Sequence, residues 1–215
     1  MKKVFKNPIK FKVQLAPDQK EAKALILDSK ISVVIGQAGS GKTLIAANIA
    51  LDLLFTKQIE RILISRPTVS DMDSDDIGFL PGDIEDKLSP FTTPVLDNMY
   101  KLYDKIKIDE LIKEGKIVVK TLQHIKGITI DNELLIVDEV EDMTEGQILK
   151  VLTRLGKDSK IIFSGDIAQC DLRSKENSGL LKLIQVATSL DYMKVIELIT
   201  NHRDPIIQDI IKAFK

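Results

Sequence analysis

Short apolar, β-branched runs alternate along this chain with longer segments whose apolar residues recur at helical spacing. The runs at 31–36, 61–65, 116–120, 134–137 and 160–164 predict five strands. Helices are predicted over 17–28, which opens on Pro17, and over 43–55, 144–155, 177–189 and 205–214. A further helical pattern covers 83–114, broken near Pro90 and Pro94. Continuous apolar strands alternating with helices predict an α/β fold: a parallel, doubly wound sheet with helices on both faces. Residues 68–82 form a loop too long for a simple connection, which points to a functional segment. No repeat, low-complexity tract or linker divides the chain. A single domain over 1–215 is expected, with 1–15 as a basic N-terminal arm carrying Lys2, Lys3, Lys6, Lys10 and Lys12.

The first strand runs straight into Gly36-Gln37-Ala38-Gly39-Ser40-Gly41-Lys42-Thr43, and a helix follows. This is a complete G-x-x-x-x-G-K-[ST] phosphate loop in its proper strand–helix setting. The glycines let backbone N–H groups curl around a di- or triphosphate. The helix N-terminus adds its dipole and its unpaired donors. Lys42 reaches the β- and γ-phosphates as a point charge, and the Thr43 hydroxyl is placed to hold Mg²⁺.

Two later strand ends extend the chemistry. The fourth strand leads into Asp138-Glu139. Asp138 is the expected Mg²⁺-side carboxylate and Glu139 the group that polarises the attacking water, projected to the other side by strand alternation. An acidic helix start would account for Glu141 and Asp142 more readily than for these two. The fifth strand ends in Ser164-Gly165-Asp166-Ile167-Ala168-Gln169. Gln169 can hydrogen-bond both a γ-phosphate and a water without changing charge; the competing reading is a polar turn capped by Asp166.

Composition narrows the partners. With 31 basic and 32 acidic residues the net charge is −1, so nucleic-acid affinity would need a local basic patch. The lone cysteine, Cys170, excludes a disulfide framework and reads as a small buried hydrophobe. His124 and His202 lack partners at metal-ligand spacing. The acidic run Asp71, Asp73, Asp75, Asp76 has neither the glycine nor the final glutamate of a calcium loop. The charged N-terminus does not read as a secretory signal, and no apolar run is long enough to span a membrane, so a cytoplasmic protein is expected.

Taken together the motifs resemble the PhoH-like family, ATPases whose core is similar to one RecA-like domain of superfamily-one helicases. Besides the phosphate loop, Asp-Glu and Gly-Asp-x-x-Gln, the resemblance rests on several local matches. These are Ile77-Gly78-Phe79-Leu80-Pro81-Gly82-Asp83, Leu152-Thr153-Arg154-Leu155-Gly156, Ser178-Gly179-Leu180 and Arg203-Asp204-Pro205-Ile206. It implies ATP and Mg²⁺ as ligands and hydrolysis tied to RNA or single-stranded DNA. It also implies roles for Gln19 as an adenine contact, for Arg203 as a late γ-phosphate arginine, and for Arg66-Pro67-Thr68 as a segment facing nucleic acid. A helicase closes its ATP site between two RecA-like units, and this chain has room for one. The resemblance therefore implies a homo-oligomer, a ring such as a hexamer, with Arg203 acting in its own site or a neighbour's.

Two departures stand out. The family's Asp-Glu-Ala-Gln-Asn is here Asp138-Glu139-Val140-Glu141-Asp142, which puts an extra carboxylate near the triphosphate. An expected Arg-Gly-Arg is Lys126-Gly127-Ile128, which removes arginine forks that could read phosphate. The rival readings are a nucleotide-dependent switch or assembly protein with slow hydrolysis, and a small-molecule kinase. The acidic 68–82 loop supplies no arginine-bearing lid for the kinase.

Overall fold

The computed structural model describes residues 10–67, 94–170 and 178–202, together with 206, 210 and 213. In chain order the elements are α1 (Pro17–Asp28), β1 (Ile31–Gly36), α2 (Lys42–Phe55), β2 (Arg61–Ser65), α3 (94–102), α4 (Lys105–Lys113), β3 (Ile117–Val119), α5 (Leu122–Lys126), β4 (Glu133–Val137), α6 (Glu145–Leu152), β5 (Lys160–Gly165), α7 (Gly179–Ala187) and β6 (Met193–Leu198). Short 3₁₀ turns follow β4 at Val140–Asp142 and β5 at Ile167–Gln169. All six strands are parallel, in the order β3-β2-β4-β5-β1-β6.

Side-chain alternation divides the sheet between two cores. Val34, Ile62, Ile64, Leu134, Ile136 and Ile162 point to one face and pack with α1, α2, α3 and α4. Val33, Leu63, Leu135, Val137, Ile161 and Phe163 point to the other and pack with α5, α6 and α7. Strands buried on both faces must be apolar throughout, which is why β1, β2, β4 and β5 were visible as continuous runs. This is the RecA-like P-loop NTPase architecture that the sequence predicts. Among the described residues no helix is long and apolar enough to cross a membrane.

Three boundaries differ from the sequence reading. A sixth strand, β6, pairs with β1 at the sheet edge. Lys194, half-buried on one face, and Glu197, exposed on the other, interrupt the apolar run that betrays a central strand. Within the described part of 83–114, which begins at Pro94, a further break falls between α3 and α4, where Asp104 caps the new helix by accepting from the Lys107 N–H at 3.2 Å. The helix expected over 144–155 begins on a Thr144–Gln147 capping box and ends at Leu152. Of the expected helix 205–214, residues 206, 210 and 213 are described, and all three are helical.

The approach of α7 to α6 depends on Gly179. A Cβ there would lie 2.7 Å from the Glu145 backbone nitrogen and 2.7 Å from Ile148 Cδ1. Backbone cannot yield as a flexible side chain can. Gly179→Ala is therefore expected to destabilise the protein by about 1–3 kcal/mol despite alanine's better helix propensity. Thermal unfolding checks this, and an unchanged or raised Tm would show that the two helices separate freely.

Candidate active site

The phosphate loop turns from β1 into α2 at the C-terminal edge of the sheet. Gly39 and Gly41 adopt φ of 89° and 88°, a region costly for any residue with a side chain. Gly41 has a second constraint: a Cβ would collide with the Gln19 amide. The Lys42 ammonium lies back over the loop, donating to the Gly36 carbonyl at 2.6 Å and to the Gln37 carbonyl at 3.2 Å. Ser40 is buried, and among the described residues its hydroxyl has no hydrogen-bond partner.

Strand order decides what faces this loop. β5 lies between β1 and β4, so the loop after β1 and the acidic turn after β4 flank a single strand end, roughly 10 Å apart at two inter-strand spacings. Side chains close that gap. The Thr43 hydroxyl lies 3.2 Å from Asp138 Oδ2 and 3.4 Å from Oδ1. From β5 between them, the Ser164 hydroxyl donates to Asp138 Oδ1. Asp138 is thus held from both sides. A polar pocket of about 170 Å³ forms here, bringing together Lys42, Thr43, Asp138, Glu139, Glu141 and Gln169.

Glu139 is not aimed by strand alternation, as the sequence suggested. β4 has ended, and Glu139 takes a left-handed backbone conformation, φ 55° and ψ 45°, before the 3₁₀ turn. This costs a non-glycine residue about 1–2 kcal/mol. Its carboxylate forms an ion pair with Arg66, at the end of β2. Burial raises its pKa, an effect that Arg66 opposes and the Asp138 carboxylate reinforces.

Glu141, expected as an extra carboxylate near the phosphates, does line the pocket, but it is buried. It is only 4% exposed, and its Oε2 has no hydrogen-bond partner among the described residues. Desolvation pushes its pKa up to about 7, against the opposing pull of the Glu141 and Asp166 N–H groups. Gln169 lies on the pocket wall with its amide donating to Asp166 Oδ2 at 2.7 Å. Asp166 also caps its own turn by accepting from the Ala168 N–H, so the polar-turn reading and a pocket-facing Gln169 coexist. Cys170 is buried, as expected, and its thiol donates to the Glu141 carbonyl.

Gln19 is 3% exposed and not a surface helix residue. Its Oε1 accepts from the Ala16 N–H at 3.1 Å, and its Nε2 donates to the Ser40 carbonyl at 3.3 Å, so it supports the loop from behind. Two contacts absent from the sequence reading tether the loop from another side. The His202 N–H donates to the Gly39 carbonyl at 3.0 Å, and Asn201 Nδ2 donates to the Ala38 carbonyl at 3.3 Å. The contacts of Ser164, Arg66, Asn201 and His202 were missed because each acts across strands, where spacing along the chain carries no signal. Arg203, Thr68, the 68–82 loop with its Gly-Phe-Leu-Pro-Gly segment, and residues 1–9 of the basic arm lie outside the described residues. Among the described residues no three His, Cys, Asp or Glu side chains gather as a metal cluster.

A family model described as PhoH-like protein matches residues 13–215. The PhoH-like protein of Synechocystis sp. is 38% identical over 191 residues, covering 86% of this chain and 56% of that one. The PhoH-like protein of Bacillus subtilis is 33% identical over 198 residues, covering 91% and 61%. Protein PhoH of Escherichia coli is 37% identical over 147 residues, covering 67% and 41%. The chain thus spans about half the length of the curated relatives it matches. Among solved structures, the Hef helicase domain of Pyrococcus furiosus aligns with a TM-score of 0.49 at 16% identity, covering 89% of this chain and 39% of that one. Pif1 helicase of Candida albicans aligns with a TM-score of 0.49 at 16% identity, covering 93% and 44%.

Proposed function

The chain belongs to the PhoH-like family, and on that premise we propose that it binds ATP with Mg²⁺ at the phosphate loop, hydrolyses it, and couples turnover to single-stranded RNA or DNA. One observation carries the hydrolysis reading: the Thr43 hydroxyl and the Asp138 carboxylate, from α2 and the end of β4, meet at 3.2 Å beside the loop. Hard oxygen donors of this kind fit Mg²⁺, which takes its remaining ligands from phosphates and water. When bound, the ion neutralises charge on the β- and γ-phosphate oxygens.

The protein's own groups do the rest. Loop N–H groups at the N-terminus of α2 hold the phosphates. The Lys42 ammonium meets the charge that develops as the γ-phosphoryl leaves. Glu139 orients the attacking water and accepts its proton. Gln169 bridges that water and the γ-phosphate, and Gln19 reads the adenine from behind the loop. Arg203 supplies the late arginine, in its own site or in a neighbour's within a ring such as a hexamer. Polynucleotide coupling and the ring are what the family resemblance implies.

Steady-state phosphate release with Mg²⁺, with and without single-stranded RNA and DNA, tests this reading. A several-fold stimulation by one of them is expected. Glu139→Gln should lower the rate by roughly a hundredfold or more. Turnover indifferent to both polynucleotides would remove the coupling and favour a nucleotide-dependent switch. Phosphate arriving on an acceptor instead of in solution would favour a kinase.

A further inference from the structure

Glu139 is held by a residue outside the nucleotide pocket. The β2–β4 ladder runs past the strand ends: Ser65 is in register with Val137, and the Asp138 N–H donates to the Ser65 carbonyl at 3.0 Å. The residue that follows β2 is Arg66, which this register sets beside the acidic turn. Pro67 follows it and disfavours a helical backbone at Arg66, so the chain leaves the sheet extended. The guanidinium pairs with the Glu139 carboxylate, and both side chains are partly exposed, at 26% and 35%. Glu139 lines the phosphate pocket and Arg66 does not. The Arg66 side chain is therefore reached by solvent without lining the nucleotide pocket.

The pairing opposes the role proposed for Glu139. A carboxylate that accepts from a guanidinium is drawn toward its partner and away from a water on its other side. An arginine fork binds phosphate with the same geometry as carboxylate, so a phosphodiester can take the guanidinium without leaving it unpaired. We propose that Arg66 is a positioning residue that restrains Glu139, and that the backbone of a single-stranded polynucleotide releases Glu139 by taking over the guanidinium. This rests on the reading of Glu139 as the group that activates water, and it names the device by which turnover would answer to polynucleotide.

The test compares wild type, Arg66→Ala, Arg66→Lys and the double variant Arg66→Ala/Glu139→Gln in ATP hydrolysis with and without poly(U) and oligo(dT), reading kcat and KM separately. Arg66→Ala should raise basal kcat by roughly three- to tenfold with KM little changed, and should lose the polynucleotide stimulation. Arg66→Lys keeps the charge without the fork and should fall between wild type and alanine. The double variant should be as inactive as Glu139→Gln alone, because Arg66 acts through Glu139. A merely structural arginine would give the opposite sign: basal kcat would fall together with thermal stability. Lower kcat, or undiminished stimulation in Arg66→Ala, overturns the proposal while leaving the hydrolysis reading intact. A large rise in KM for ATP also overturns it, since it would make Arg66 a contact of the nucleotide itself. No turnover in wild type or in Arg66→Ala overturns both readings together. Raised basal kcat with no polynucleotide effect in wild type keeps the restraint and removes the phosphodiester trigger.

Discussion

Lys42→Ala is expected to lower ATP hydrolysis by roughly a hundredfold or more while leaving the fold intact. The loss is electrostatic. Lys42 lines the pocket together with Thr43, Asp138 and Gln169, and an alanine there leaves a transferred phosphoryl without a lysine counter-charge. The fold survives because Lys42 is the first residue of α2, where alanine is well tolerated. The hydrogen bonds it gives up, to the Gly36 and Gln37 carbonyls, are worth about 1 kcal/mol each. Hydrolysis rate and circular-dichroism melting, measured on one preparation, separate the two effects. A rate within about threefold of wild type would mean that the loop backbone alone sustains the chemistry.

Glu141→Gln is expected to stabilise the protein, and to do so only above the acid range. A carboxyl whose pKa rises from 4.5 unfolded to about 7 folded holds its proton more tightly in the native state. Below pH 4.5 it is neutral in both states and costs nothing. Between pH 4.5 and 7 the unfolded chain ionises first, and the native state loses stability as pH rises. Above pH 7 the full penalty applies, about 3 kcal/mol. Nearby Asp142 and Glu139 carboxylates add to it. Glutamine keeps the shape and removes the charge. Urea unfolding at pH 4.5 and pH 8 should show near-equal stabilities at the lower pH and a clear advantage for the variant at the higher. An advantage of equal size at both values would show that the cost is steric, from the close approach of Glu141 Oε2 to Gly165.

Glu141 also shows where reading the chain by spacing stops. Its position beside the triphosphate was legible, but its burial against the end of β5 was not, and burial decides whether it is charged. The same holds for Glu139. The Asp-Glu pair was plain from the strand before it. Its direction depends on a left-handed turn and on an arginine from β2, more than seventy residues earlier in the chain. The phosphate loop was read most fully, because its geometry is built into glycines adjacent in sequence. β1, β2, β4 and β5 were legible because burial on both faces demands unbroken apolar residues. The edge strand β6 escaped because it carries a charged residue on each face, Lys194 on one and Glu197 on the other, which breaks the apolar run. Ser164 lay inside a quoted motif, yet only the strand order shows that it is the residue between Thr43 and Asp138.

The two hydrogen bonds from Asn201 and His202 to the loop carbonyls of Ala38 and Gly39 have a mechanical meaning. Carbonyls cannot turn independently of the N–H groups of the same peptide planes. A peptide that rotates to present its N–H to a phosphate must carry its carbonyl with it, and that carbonyl is fastened to the chain just beyond β6. The outermost strand of the sheet and the phosphate cradle therefore behave as a lever and its load. Force applied where the polypeptide leaves the sheet edge reaches the loop peptides through two bonds, and rotation of those peptides pulls back along the same path.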